Sequence, residues 1–198
     1  MPTVNATPGS ATANSYLTTA EAQAYFDTRL PVAGWDDADD QDVLVIMATR
    51  TLDRLLTPYK TLVVQNGQRY YRVRPQWTGA PATPTQRLAW PRTGMFDANG
   101  NAIPSNIIPE DLKFATAELA GQLGTEDRTL DNDVIVQGIK SLRAGSVALE
   151  FQDGIMPQVI PDAVWNLLVQ SWVTDEIYEP AQSAIFAVIG VDPSGDTL

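Results

Sequence analysis

The sequence predicts an α+β fold, mainly α: a small bundle of about four helices with a protruding β-hairpin/loop insert, a second β-hairpin before the last helix, and an extended C-terminal tail. Three observations predict it. Four segments carry helix-start signals or apolar stripes at helical spacing. Two β-prone runs flank Asn66-Gly67, the strongest short hairpin signal. Two more flank Ala144-Gly145. With 198 residues, 44 % of them hydrophobic, the chain is sized for one domain with a real core.

Residues 1–14 are polar and lack a charged start followed by an apolar run, so they read as a flexible lead and not a secretory signal. The main domain is expected over 15–176, with a β-arm/loop insert at 57–107, and a C-terminal extension over 177–198. Thr18-Thr19-Ala20-Glu21 matches a capping box. A helix follows over about Thr19 to Arg29, with Ala22, Tyr25, Phe26 and Leu30 as its apolar face; Pro31 and Gly34 break it. A second helix is expected to start in DDADDQD, Asp36 to Asp42, and to run to about Leu56. Carboxylates there complement the helix dipole, a reading favoured over a metal site. Its run VLVIMA is apolar nearly all round, which makes it central.

TLVVQNGQRYYRV then forms the hairpin, and the proline-rich PQWTGAPATPTQ leads into LAWPRTG. FDANGNAI offers another turn at Asn99-Gly100. Pro109 fits N1 of a third helix, striped by Leu112, Ala115, Thr116, Leu119 and Leu123 and capped by Gly124. In VIVQGIKSLRAGSVALEF, Val147, Leu149 and Phe151 alternate with polar or small residues, so one face of that hairpin is expected to be buried. Pro161 opens a fourth helix to about Val173, with Trp165, Leu168 and Trp172 on one stripe. An isolated apolar patch, Ala184 to Val191, ends before Asp192-Pro193-Ser194-Gly195.

The chain has no cysteine and no histidine. That removes disulfides, thiolate nucleophiles, Ser-His and Cys-His dyads and the usual zinc sites. No phosphate loop, GxSxG or SxxK pattern is present. DANGN, Asp97 to Asn101, fails as a Ca²⁺ loop, because Ala102 and Ile108 stand where Gly and Glu are needed. No enzyme activity and no cofactor is expected. No apolar run reaches membrane-spanning length.

Charge is unevenly placed. From Leu55 to Phe96 there is no acidic residue, while Lys60, Arg69, Arg72, Arg74, Arg87 and Arg92 give +6; the total is −11, which leaves −17 for the rest. Arginines interleaved with Tyr59, Tyr70, Tyr71, Trp77 and Trp90 suit single-stranded DNA, through phosphate contacts and base stacking. The acidic balance opposes it. A chain with a basic middle and acidic ends also complements copies of itself. Asp36, Asp37, Asp39 and Asp40 of one subunit would meet Arg69, Arg72 and Arg74 of the next, and such contacts can close into rings. Composition leaves the two readings open.

Within LAWPRTG, Pro91 fixes its own φ and pushes Trp90 out of the α region, and Gly94 permits a turn. Trp90, Pro91, Arg92 and Gly94 are expected to form a structural clamp, with Trp90 buried and Arg92 paired with a carboxylate.

Several pieces in order resemble the head-tail adaptor (connector, head-completion) proteins of tailed bacteriophages, a group labelled DnaT-like single-stranded DNA-binding protein. They are NSYLTTAEAQAYF (Asn14 to Phe26), Trp35 with ATRTLDRL (Ala48 to Leu55), QRLAWPRTGMFDANGNAIP (Gln86 to Pro104), IPEDLKFATAELA (Ile108 to Ala120), IKSLRAGSVALEF and PDAVWNLL. The resemblance covers about Asn14 to Val173. The Thr61 to Arg74 hairpin and the tail after Val173 depart from it. It implies a virion protein, made in the host cytoplasm, that forms a ring, usually of twelve copies. The ring would sit below the portal protein, meet a tail or stopper protein beneath, and extend a channel through which double-stranded DNA passes without specific binding. It implies too that Ile185, Phe186, Val188 and Ile189 dock on the portal or a neighbour.

Overall fold

The computed structural model describes residues 2–56, 60–126, 141–144, 147–150 and 160–180. Helix α1 (Thr19–Phe26) starts at a complete capping box, in which the Glu21 carboxylate accepts the Thr18 N–H at 2.7 Å. It stops short of Arg29 because the Thr28 hydroxyl donates to the Tyr25 carbonyl and the chain turns. Leu30 is thereby left 83 % exposed and is not part of the apolar face.

Helix α2 (Ala33–Asp36) is an unexpected extra turn around buried Trp35, whose ring stacks on Phe26 at 4.7 Å and whose N–H donates to Gln23 at 2.9 Å. Helix α3 (Gln41–Leu55) starts after most of the aspartates. Asp40 is its N-cap, accepting the Val43 N–H at 3.2 Å, and Asp42 sits in its first turn. Val45, Ile46, Ala48 and Leu52 are buried and no residue of VLVIMA is exposed, while Arg50 and Arg54, beyond that run, face solvent.

Strands β1 (Lys60–Gln65) and β2 (Gln68–Val73) form the expected hairpin. Asn66 at φ 51° and Gly67 at φ 78° supply the two left-handed residues of its tight turn. Strands β3 (Ala80–Pro81) and β4 (Arg92–Thr93) close the proline-rich loop on itself.

Helix α4 (Glu110–Thr125) buries Leu112, Ala115, Thr116, Leu119 and Leu123. Pro109 stands at its N-cap, not at N1, and Gly124 lies inside the helix, not at its end. Gly124 serves close approach instead. A Cβ there would strike the Gly34 carbonyl, and one on Gly34 would strike the Gly121 carbonyl. Helix α2 thus docks backbone to backbone on α4.

Strands β5 (Ser141–Ala144) and β6 (Val147–Glu150) pair as the second hairpin; its side chains, Phe151 included, lie outside the described residues. Helix α5 (Asp162–Trp165) and a 3₁₀ turn (Gln170–Trp172) replace the single fourth helix. The chain leaves the helix because its backbone bonds go elsewhere. Thr78 N–H donates to Trp172 O and Thr174 N–H to Gln76 O, both at 2.9 Å. Strand β7 (Ile177–Pro180) adds to β2, giving the order β1-β2-β7, so the first residues of the expected tail extension belong to the arm.

The N-terminal lead also holds to the body. Ala13 is buried, Asn14 accepts the Asn5 N–H at 2.7 Å, and Arg87 N–H donates to Ser10 O at 3.2 Å. The described residues contain no helix long and apolar enough to cross a membrane.

Candidate functional site

The loop Gln86–Gly94 lies where three distant pieces of chain meet. Trp90 is 1 % exposed. Its ring contacts Trp77 edge-on at 5.7 Å and Trp172 at 5.0 Å. The Trp172 N–H donates to Phe96 O at 2.7 Å. The indole nitrogens of Trp77 and Trp90 are buried with no hydrogen-bond partner among the described residues. The Trp90–Pro91 peptide is cis, and Gly94 has φ 74°.

Arg92 is buried, and among the described residues no carboxylate forms the expected ion pair with it. Its Nε donates to Thr78 O at 2.6 Å, Nη1 to Ala89 O at 3.0 Å and Nη2 to Gly79 O at 3.0 Å. A planar fork suits three converging carbonyls. Burial lowers its pKa from the ordinary arginine value, while nearby Tyr16 and Asp53 oppose that shift. Gln86 Nε2 ties the loop further, donating to Leu88 O at 2.8 Å and Pro91 O at 3.0 Å.

Behind the loop stands a polar cluster that sequence reasoning missed. Tyr16 OH donates to Asp53, whose other oxygen accepts the Ala89 N–H at 3.1 Å. Tyr16 N–H donates to Thr49 Oγ1 at 3.1 Å, and Ser15 Oγ lies 3.4 Å from the same hydroxyl. Burial pushes the Asp53 carboxyl up to about 6. Burial, with the Asp53 charge beside it, holds Tyr16 well above the usual tyrosine value. The signal was the spacing of Thr49 and Asp53, one turn apart on a face of α3.

The second candidate feature is the arm. Arg69 and Arg72 are exposed on β2, and Arg74 just beyond it. The acid-free stretch of sequence does not stay acid-free in space. Strand β7 and the residue before it bring carboxylates alongside: Glu179 pairs with Lys60 at 2.6 Å, and Glu176 with Arg72 at 2.7 Å. The Glu176 carboxylate raises the Arg72 pKa and the Arg72 guanidinium lowers that of Glu176, each chiefly through the hydrogen bond between them. Both pairs are exposed and contribute little to stability.

Of the acidic run, Asp36 accepts the Val32 N–H at 3.1 Å, Asp40 caps α3, and Asp42 accepts from the Thr19 hydroxyl. Asp37 and Asp39 face solvent. Ile185, Phe186, Val188 and Ile189 lie outside the described residues. Among the described residues no group of three or more acidic side chains is placed to hold a metal ion. A groove of 460 Å³ lies between Pro75, Trp165, Val169 and Glu176.

Residues 57–177 match the family described as "Putative DnaT-like ssDNA binding protein". The matched range holds the arm, the Trp90 loop and α4 to β7, and starts after α3. No curated protein and no solved structure matches the chain.

Proposed function

The chain belongs to the DnaT-like ssDNA binding protein family, and within it we propose that this protein is a structural assembly subunit: a phage head-tail adaptor. In this reading copies form a ring of about twelve below the portal, as similar adaptors do. The ring joins the DNA-filled head to a tail or stopper protein and extends the channel that double-stranded DNA traverses. The protein works in the virion, without catalysis or cofactor.

One observation carries the reading. Several of the residues that single-strand binding would draw on are already occupied. Trp77 and Trp90 are buried at 6 % and 1 % exposure and present no face for a base. Arg92 is bound to three carbonyls, while Lys60 and Arg72 are matched by Glu179 and Glu176. A net charge of −11 further weakens attraction to phosphate. The ordered resemblance of NSYL, ATRTLD and LAWPRTG to adaptors supports the specific role.

The family description favours a second reading, single-stranded DNA binding through the arm. Arg69 and Tyr71 are exposed there. The deciding experiment is co-sedimentation with portal-bearing, DNA-filled, tailless heads in the presence of a competing oligonucleotide. Saturable pelleting at fixed copies per portal, indifferent to the oligonucleotide, supports the adaptor. No pelleting, with salt-sensitive oligonucleotide retention, overturns it in favour of DNA binding.

A further inference from the structure

The sequence holds two Asn-Gly pairs, Asn66-Gly67 at the tip of the arm and Asn99-Gly100 in the loop after Phe96. Such a pair is open to one spontaneous reaction, because glycine brings no Cβ to shield its own amide nitrogen. All four residues are exposed. The fold nevertheless treats the two pairs differently.

Asn99 is held. Its N–H donates to Asp97 Oδ1 at 2.9 Å, and the Gly100 N–H donates to Asp97 O at 3.0 Å. The Asp97 carboxylate also accepts the Asn101 N–H at 2.8 Å and the Asn101 side-chain amide at 2.9 Å. The nitrogen that would react is in use, and the backbone around it cannot rotate without breaking several bonds. Asn66 is not held in this way. Its turn is closed by the Gln65–Gln68 pair, and among the described residues no acceptor meets the Gly67 N–H. Strand β7 reaches only to Pro180, opposite Tyr70, so among the described residues the last rungs of the hairpin have no third strand beside them. A hairpin end of this kind opens locally at low cost. Arg69, opposite Val64, stands one rung behind the turn.

We propose that Asn66 is a deamidation site, converting ahead of Asn99 in the folded protein. The Gly67 nitrogen attacks Cγ of Asn66 and forms a new C–N bond. The Cγ–Nδ2 bond breaks, and the side-chain nitrogen leaves as ammonia with the proton given up by Gly67. Water then opens the five-membered imide at one carbonyl or the other, giving aspartate or isoaspartate at position 66. Nothing is oxidised or reduced. The aspartate product retains the turn, since Asp-Gly suits it as Asn-Gly does. The isoaspartate product adds a carbon to the main chain and offsets the Gln65–Gln68 rung. Either product puts a negative charge one rung from Arg69. The tip of the arm thus loses positive charge as the protein ages, whichever partner the arm meets.

The test incubates the full-length protein at mildly alkaline pH and samples it over time. Cleavage after Lys60 and Arg69 isolates residues 61–69, and cleavage after Arg92 and Lys113 isolates 93–113. Fragment mass spectrometry reads the gain of one mass unit at each asparagine, and an isoaspartate-specific methyltransferase marks the second product. Asn66 is expected to convert roughly tenfold faster than Asn99, the factor that one engaged backbone hydrogen bond can hold back. In concentrated urea the two rates should draw level, since both are then plain Asn-Gly pairs. Asp97→Ala removes three of the bonds around Asn99 and should bring its rate toward that of Asn66 in the folded chain. Equal rates in the folded protein, or a faster Asn99, overturn the proposal. So does a difference that persists unchanged in urea, which would trace it to neighbouring sequence, or an Asn99 rate untouched by Asp97→Ala.

Discussion

Truncating Trp90 to alanine tests whether the loop is a clamp. The side chain is 1 % exposed and packed between Trp77 and Trp172. Truncation of a buried large aromatic costs about 3–5 kcal/mol through lost transfer energy and the cavity left behind. Two ring contacts push the cost toward the upper end. The Trp90 indole nitrogen pushes it down, because it is buried without a partner among the described residues and its removal relieves a desolvation cost of about 1 kcal/mol or more. The balance is about 4 kcal/mol. For a chain of 198 residues that is a fall in Tm of roughly 8–16 °C. Trp90→Phe keeps an aromatic and drops the unpaired N–H, so it should cost under about 2 kcal/mol. Urea unfolding followed by far-UV circular dichroism measures both. A Trp90→Ala loss below about 1 kcal/mol would refute the clamp. Equal losses for the two variants would mean that the indole N–H is engaged after all.

Three further predictions follow from the same region and from the helix contact. Arg92→Lys keeps the charge but gathers its donors on one nitrogen, which cannot reach carbonyls now met by three separate guanidinium nitrogens, and should cost about 2–3 kcal/mol in urea unfolding. Gly34→Ala drives a methyl into the Gly121 carbonyl, which cannot swing aside, and should cost about 3 kcal/mol or more in the same assay. Asp53 has its folded pKa raised, from 3.8 to about 6, so its contribution is fully present below about pH 4 and is lost as pH rises through 6. The stability difference between the native chain and Asp53→Asn should therefore shift by about 2 kcal/mol against the native chain between pH 4 and pH 7. A pH-independent difference would contradict the burial of an ionising carboxyl.

What was legible in the sequence was local. The capping box at Thr18, the Asn66-Gly67 hairpin and the Leu112–Leu123 stripe each follow from residues a few positions apart. What was not legible depends on partners far along the chain. Trp165, Leu168 and Trp172 have helical spacing, yet the backbone there takes its bonds from Gln76 and Thr78, and the helix breaks. Gly124 looked like a cap because caps and close helix contacts both favour glycine; only the position of Gly34 distinguishes them. Arg92 was expected to seek a carboxylate. Three carbonyls converged on it instead, through a loop fold that spacing does not encode. Glu176 and Glu179 could not be assigned to Arg72 and Lys60, because β7 pairs with a strand about a hundred residues earlier.

That last pairing bears on function more than any other. In sequence, Leu55 to Phe96 is a basic, aromatic stretch, and this made DNA binding and self-assembly equally reasonable. Folding divides the stretch in two. Its tryptophans and Arg92 turn inward to fix the loop. Its hairpin turns outward, has Lys60 and Arg72 matched by β7, and exposes Leu62, Val64 and Tyr71. A DNA strand gains from unpaired cations and free aromatic faces; a protein partner gains from apolar surface with an open strand edge. The arm offers more of the second than of the first. The two demands also separate under salt. Phosphate contacts weaken steeply as ionic strength rises, whereas burial of Leu62, Val64 and Ile177 does not. Self-association that persists in high salt while oligonucleotide retention disappears would therefore assign the arm to assembly.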